Sequence, residues 1–95
     1  MNHNYIIKEN EIYLLDEKQN KIAFVTFPKV SDNVVIIDHT VVSESLRGQG
    51  IARELLDNVY DSLKKTNRKA RLSCSYARGY FEKNPAKRDV LEEEK

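Results

Sequence analysis

Residues 34–52 constrain this chain's fold more than any other stretch. They read VVIIDHTVV, then SESL, then RGQGIA. The first part is apolar and β-branched, a composition that suits a strand. A polar turn follows, then Gly48 and Gly50 one residue apart, then an amphipathic pattern long enough for a helix. Strand, glycine turn and helix in that order lay out an anion site. The first turn of a helix leaves four backbone N–H groups without intrahelical partners, and they lie at the positive end of the helix dipole. A phosphate placed there satisfies them. Glycines at 48 and 50 let a ligand approach the backbone and tolerate positive φ.

Two other readings of these residues stand beside that one. Ser43 or Ser45 is an acceptable N-cap for a helix that starts at Leu46. Both glycines would then fall in its first turns, each costing about 1 kcal/mol against alanine. A dinucleotide-binding turn is the other reading, but the third glycine is missing and no acidic residue ends a second strand about 20 residues on. The Gly-Lys-Ser/Thr of a phosphate-lysine loop does not occur.

The rest of the chain fills in around this core. Its 95 residues suit one domain with one modest core. Tyr5–Lys8 and Glu11–Asp16 read as short strands, with turn chemistry at Glu9-Asn10 or in 16–20. Lys21–Phe27 alternates, and Pro28 ends it because proline cannot donate to a ladder. Ser31-Asp32-Asn33 is a turn, so the N-terminal part is an antiparallel meander. Val34–Val42 is apolar on both faces until Asp38, as in a central strand covered by helices. From about Gly50 to Thr66, residues Ile51, Ala52, Leu55, Leu56, Val59, Tyr60 and Leu63 form one apolar helix face. Ala70–Cys74 reads as the next strand, parallel to Val34–Val42 through a right-handed crossover. Ala77–Lys83 is a short second helix, ended before Pro85. The expected fold is α/β in the α+β sense: a mixed sheet of roughly four or five strands, meander first and crossover second, with two helices. Residues 1–91 form the single domain, and 92–95 a disordered tail.

Several function classes recede on composition. A net charge of +1 offers no field that favours nucleic acid. A single cysteine cannot form an internal disulfide, and a reduced cytoplasmic setting fits. No apolar run approaches the roughly 18 residues of a membrane span. The N-terminus lacks the charged-then-apolar layout of a signal peptide. No nucleic acid, membrane or metal is expected as a partner.

Arg47-Gly48-Gln49-Gly50-Ile51-Ala52 resembles the Arg/Gln-x-x-Gly-x-Gly/Ala signature of the GCN5-related N-acetyltransferases, and the strand before and helix after it fit that context. The resemblance covers about residues 20–85 and looks closest to the very short, single-domain members. It implies a pruned version of that fold, binding of acetyl-CoA as co-substrate, and transfer to an amine acceptor that the sequence leaves unknown. It implies that Arg47, Gly48, Gln49, Gly50, Ile51 and Ala52 hold the cofactor's pyrophosphate. It further implies that Val41 and Val42 run beside pantetheine, and that Cys74 borders the same channel. An acetyl-CoA-binding module with little turnover is the alternative.

Candidate chemistry follows from residue type. His39 is the natural base for an amine nucleophile, with an ordinary pKa near 6.5; its plain reading is a half-exposed strand histidine making one structural hydrogen bond. Laying Ala77 on the family's Asn-x-x-Ala-x-x-x-Tyr pattern puts Cys74 at the asparagine and Phe81 at the acid tyrosine. Phenylalanine has no proton to give. Tyr80 lies one residue earlier, about 100° around a helix, and Tyr76 just before it. Cys74 has three readings: a small buried hydrophobe, a proton relay to the leaving thiolate, or a nucleophile. The last needs a lowered thiol pKa, which a helix starting near Ala77 and the Arg78 charge would supply. Lys64, Lys65, Arg68 and Lys69 read as a solvated helix end, with contact to a CoA 3′-phosphate as the other option.

Overall fold

The computed structural model describes residues 4–92. Strands β1 (Ile6–Ile7), β2 (Glu11–Leu15) and β3 (Lys21–Thr26) form the meander, antiparallel in chain order. The Asp16 carboxylate accepts from the backbone N–H groups of Lys18 and Asn20, both at 2.9 Å, which closes the β2–β3 turn. After Pro28 a short strand absent from the sequence reading, β4 (Lys29–Ser31), turns back into β5 (Val34–Ile37).

The run from Val34 to Val42 is not one strand. It breaks at Asp38 and resumes as β6 (His39–Val42). The cause lies on β3: the Asp38 N–H donates to the Thr26 carbonyl at 3.2 Å, and the Asp38 carboxylate accepts from the Thr26 hydroxyl. That clasp moves the chain from one sheet to another. β6 pairs with β3, from Thr26↔His39 to Ala23↔Val42. β5 instead lies between β4 and the parallel β7 (Lys69–Leu72). The result is a four-stranded sheet ordered β1-β2-β3-β6 and a three-stranded sheet ordered β4-β5-β7. The α+β class, the meander and the parallel crossover are as expected. The strands are more numerous and shorter than the reading of one mixed sheet.

Helix α1 (Ile51–Thr66) makes the crossover. Its buried face is Ile51, Leu55, Leu56, Val59 and Leu63, spaced as an amphipathic helix requires. That face meets Ile12, Val25 and Phe27 from the meander and Val35 and Ile37 from β5 in one core cluster. Asn67 ends α1 in the left-handed region at φ 56, a conformation asparagine tolerates well. Helix α2 (Ser75–Lys83) packs beside α1 and buries Ala77, Tyr80 and Phe81. A 3-10 turn, Pro85–Val90, then returns the chain to β7, where Leu91 bridges Ala70 in parallel.

One polar cluster ties these elements together. Asp57 of α1 accepts from the Tyr80 hydroxyl of α2 and from Lys87 Nζ of the 3-10 turn, the latter at 2.8 Å. Burial alone would raise the Asp57 pKa, but the Lys87 ammonium and the Tyr80 hydroxyl outweigh it and hold the carboxyl below its usual range. Burial, reinforced by Asp57, pushes Tyr80 up to about 12.

Of the tail expected at 92–95, residues 93–95 lie outside the described residues. Glu92 donates its N–H to the Ala70 carbonyl at 2.9 Å and pairs with Arg71. Among the described residues, no helix is long and apolar enough to cross a membrane.

Candidate active site

The glycine turn is built from both ends. At its start, the Ser43 N–H donates to the Ile22 carbonyl at 2.8 Å, which pins the end of β6 to β3. A 3-10 turn, Glu44–Leu46, follows. Ser43 sits at its N-cap but makes no side-chain cap bond, so the reading with a helix from Leu46 onward is not what forms. Gly48 and Gly50 instead take φ 86 and φ 75, in the left-handed region. Gly50 is the N-cap of α1, and the Glu54 N–H to Gly50 carbonyl bond, 3.0 Å, is the first of the helix. The N–H groups before Glu54 therefore have no intrahelical partner. A side chain at Gly48 would meet nothing within 4 Å, so the space over the turn is open.

This turn faces a cavity of about 220 Å³. Val42, Arg47, Gly48, Gly50, Ile51 and Ala52 line it, together with Leu46 and Tyr76. Of the residues expected at the cofactor, Val41, Gln49 and Cys74 are not part of this lining. Gln49 turns its amide to the Ser45 carbonyl at 3.4 Å and braces the loop. Val41 is 45% exposed, on the face of β6 opposite Val42. Tyr76 also lines a second cavity, of about 310 Å³, between α1 and α2, with Arg53, Ser75, Gly79 and Lys83 among its walls. Sequence reasoning noted Tyr76 only for its nearness to the helix start and passed over Arg53, Lys83 and Leu46. Arg53, Tyr76 and Lys83 come together through the packing of α2 beside α1, which no local pattern encodes.

The two sheets part beside this cavity. The Ile37 carbonyl, last on β5, accepts from the N–H groups of Ser73 and Cys74 at 3.1 and 3.2 Å. Beyond that point Asp38 draws one chain away, and α2 begins on the other. The second strand ends at Leu72 rather than Cys74, and the second helix starts at Ser75 rather than Ala77. Cys74 is the N-cap of α2, in extended conformation, and its carbonyl takes the Arg78 N–H at 3.1 Å.

The half-buried Cys74 thiol lies 3.6 Å from the Thr40 hydroxyl of β6. Burial pushes the thiol pKa up, but the Ala77 N–H, the Thr40 hydroxyl and the Tyr76 N–H outweigh it, and the net displacement is downward. Arg78 contributes nothing there, because its guanidinium donates to the Leu72 carbonyl at 3.2 Å.

His39 is exposed and pairs with Thr26 across the strands. It points to the face of β6 opposite Thr40. The two candidate catalytic side chains are thus on opposite sides of one strand. Tyr80 is committed to Asp57 and Phe81 is fully buried, so neither faces the glycine turn as an acid. The lysine and arginine cluster sits at the far end of α1, about 24 Å along the axis at 1.5 Å per residue. Lys64 and Lys69 are there held by Asp89.

Comparison with known proteins bears on this geometry. A family model described as GCN5-related N-acetyl-transferase matches residues 11–90. The proteins called NATD1 from chicken and mouse are 33% identical over 63 residues, a match covering 66% of this chain and 57% of theirs. The chain thus spans little more than half the length of those relatives. A GCN5-like protein of Staphylococcus aureus, solved in solution, is 35% identical with a TM-score of 0.78, covering 99% of this chain and 92% of that one. An Escherichia coli N-acetyltransferase, YhbS, crystallised in complex with CoA, is 26% identical with a TM-score of 0.60, covering 72% of this chain and 43% of that one.

Proposed function

The chain belongs to the GCN5-related N-acetyltransferase family, and on that premise we propose that it binds acetyl-CoA and transfers the acetyl group to an amine of a protein or small molecule. The observation that carries this reading is the pair of left-handed glycines opening α1 onto a cavity. Gly48, Gly50 and the free N–H groups of Ile51 and Ala52 hold the pyrophosphate: the space over Gly48 is open, and the side chain nearest Gly50 is the Arg53 guanidinium, a cation. Arg47 adds a cation at the cavity wall, and Gln49 keeps the loop in shape. Arg53 and Lys83, in the adjoining cavity, suit the 3′-phosphate end of CoA. Val41 and Val42 lie on β6, an edge strand whose free side faces the gap beside Cys74 and is open to pantetheine.

Cys74 is the acetyl acceptor in this reading. Its thiolate attacks the thioester carbonyl, a Sγ–acetyl bond forms, and the bond to the CoA sulfur breaks. CoA thiolate leaves and takes a proton from water. The amine then attacks the acetyl-cysteine, loses its proton and restores the thiol. His39, exposed on the other face of β6, acts earlier: it takes a proton from the ammonium arriving on its side, before the neutral amine rounds this edge strand to Cys74. The reduced cytoplasm keeps the thiol free.

A second reading, a CoA-binding module with little turnover, is favoured by the buried Phe81 where the family's acid tyrosine stands. Calorimetry with acetyl-CoA tests binding. Intact mass after incubation with acetyl-CoA tests transfer: an acetyl adduct absent from Cys74→Ala is expected. Tight binding with no adduct, and no thiol release with any amine, leaves the binding module.

A further inference from the structure

We propose that Thr40 is a positioning residue, whose hydroxyl reaches across the gap between the two sheets and holds the Cys74 thiol beside the glycine-turn cavity. The inference rests on the reading of Cys74 given above. Three observations carry it. Thr40 and Val42 share one face of β6, two residues and about 7 Å apart, and Val42 lines the cavity. The Thr40 hydroxyl has the Cys74 sulfur, at 3.6 Å, as its hydrogen-bond contact. That contact joins β6 of one sheet to the segment that follows β7 of the other, past the last bonds at the Ile37 carbonyl.

A strand would accept valine at this position as readily as threonine, so packing gives no reason for the hydroxyl. The thiol donates to the Thr40 hydroxyl, which fixes the sulfur's direction; once the thiol ionises, the hydroxyl turns its own proton to the sulfur and favours the thiolate. The other groups around the sulfur are the N–H groups of Ala77 and Tyr76 in the first turn of α2 and that of Thr40 itself. Charged neighbours point elsewhere: Arg78 to the Leu72 carbonyl, Asp38 to Thr26, and His39 to the opposite face of β6.

The test is the pH dependence of Cys74 alkylation by iodoacetamide, which needs neither acetyl-CoA nor an acceptor. In Thr40→Val the midpoint should rise by about 0.4–1 unit, and the rate at pH 7 should fall about 3–10-fold, the range expected for one lost hydrogen bond. Thr40→Ser should restore the wild-type profile. A folded Thr40→Val protein with an unchanged profile overturns the proposal, whatever the acetyl adduct shows. If Thr40→Val does not fold, Thr40→Ala serves as the same test, with the same two outcomes. If the profile shifts but wild type never forms an adduct, Thr40 still positions the thiol and only the acceptor role of Cys74 fails.

Discussion

The Ile37 carbonyl and the Cys74 N–H, 3.2 Å apart, form the last backbone bond between β5 and the segment that follows β7. Thr40 and Cys74 meet just past the place where that ladder stops. One residue on, Asp38 is captured by Thr26 and the chain leaves for the other sheet. One residue past Cys74, α2 starts. The gap between them adjoins the glycine turn because Val42 and Tyr76 wall the same cavity.

The glycines are expected to be separable by their effects. Gly48→Ala meets no neighbour, so only its left-handed backbone opposes it, at about 1–2 kcal/mol. Its thermal midpoint should fall accordingly. Gly50→Val adds a branched side chain at the mouth of α1, 3.5 Å or less from the Arg53 guanidinium. It should abolish acetyl-CoA binding in calorimetry. Unchanged affinity in a folded Gly50→Val protein places the site elsewhere.

The adjoining cavity predicts selectivity within the cofactor. Lys83→Ala and Arg53→Ala should each weaken CoA several-fold, as the loss of one charge-assisted bond would. Affinity for dephospho-CoA, which lacks the 3′-phosphate, should hardly change. Equal losses for both ligands mean that these cations do not read that phosphate.

Asp57 gives the fold a pH dependence of known sign. Its folded pKa lies below the unfolded value of about 3.9. Its contribution is therefore complete above that pH and fades as pH falls through the folded value. The difference in thermal midpoint between wild type and Asp57→Asn should be widest above about pH 5 and shrink toward pH 3. A constant difference across that range would mean that the charge of Asp57 is immaterial.

His39→Ala should leave the acetyl adduct on Cys74 and the affinity for acetyl-CoA untouched, because His39 faces away from both. Turnover with an amine acceptor should drop about 10²–10⁴-fold. Unaltered turnover would reduce His39 to an exposed strand residue.

The glycine turn and α1 were legible because their signals are local: a β-branched run, two glycines, and apolar residues at helical spacing. The break at Asp38 was not, because the polar Asp38-His39 step is followed by a β-branched run, Thr40-Val41-Val42, and it is the clasp from Thr26, twelve residues earlier, that divides the two. The start of α2 was misplaced by two residues because Cys74 is an unusual N-cap and leaves no capping signature. Tyr76, Arg53 and Lys83 converge only once α2 lies beside α1, a relation between elements far apart in the chain. Val41 and Val42 were expected to run beside pantetheine through their backbone, and alternation along the strand leaves the Val42 side chain alone of the two at the cavity.

Asp38 also acts as a crease. Two small plates, each stiffened by its own ladder, are joined there and again at Phe27-Pro28, and a molecule lodged between β6 and Cys74 would act as a wedge between them. Opening the wedge would pull on Thr26 and tilt β3, and with it the row Tyr13, Phe24 and Val41 that lies across the outer surface. Filling one side of the sheet would then reshape the other, the side on which His39 waits. Amide resonances of Phe24 and Val41 should shift when acetyl-CoA is added, although neither residue faces the cavity; if both stay still, the two plates do not move as one hinge.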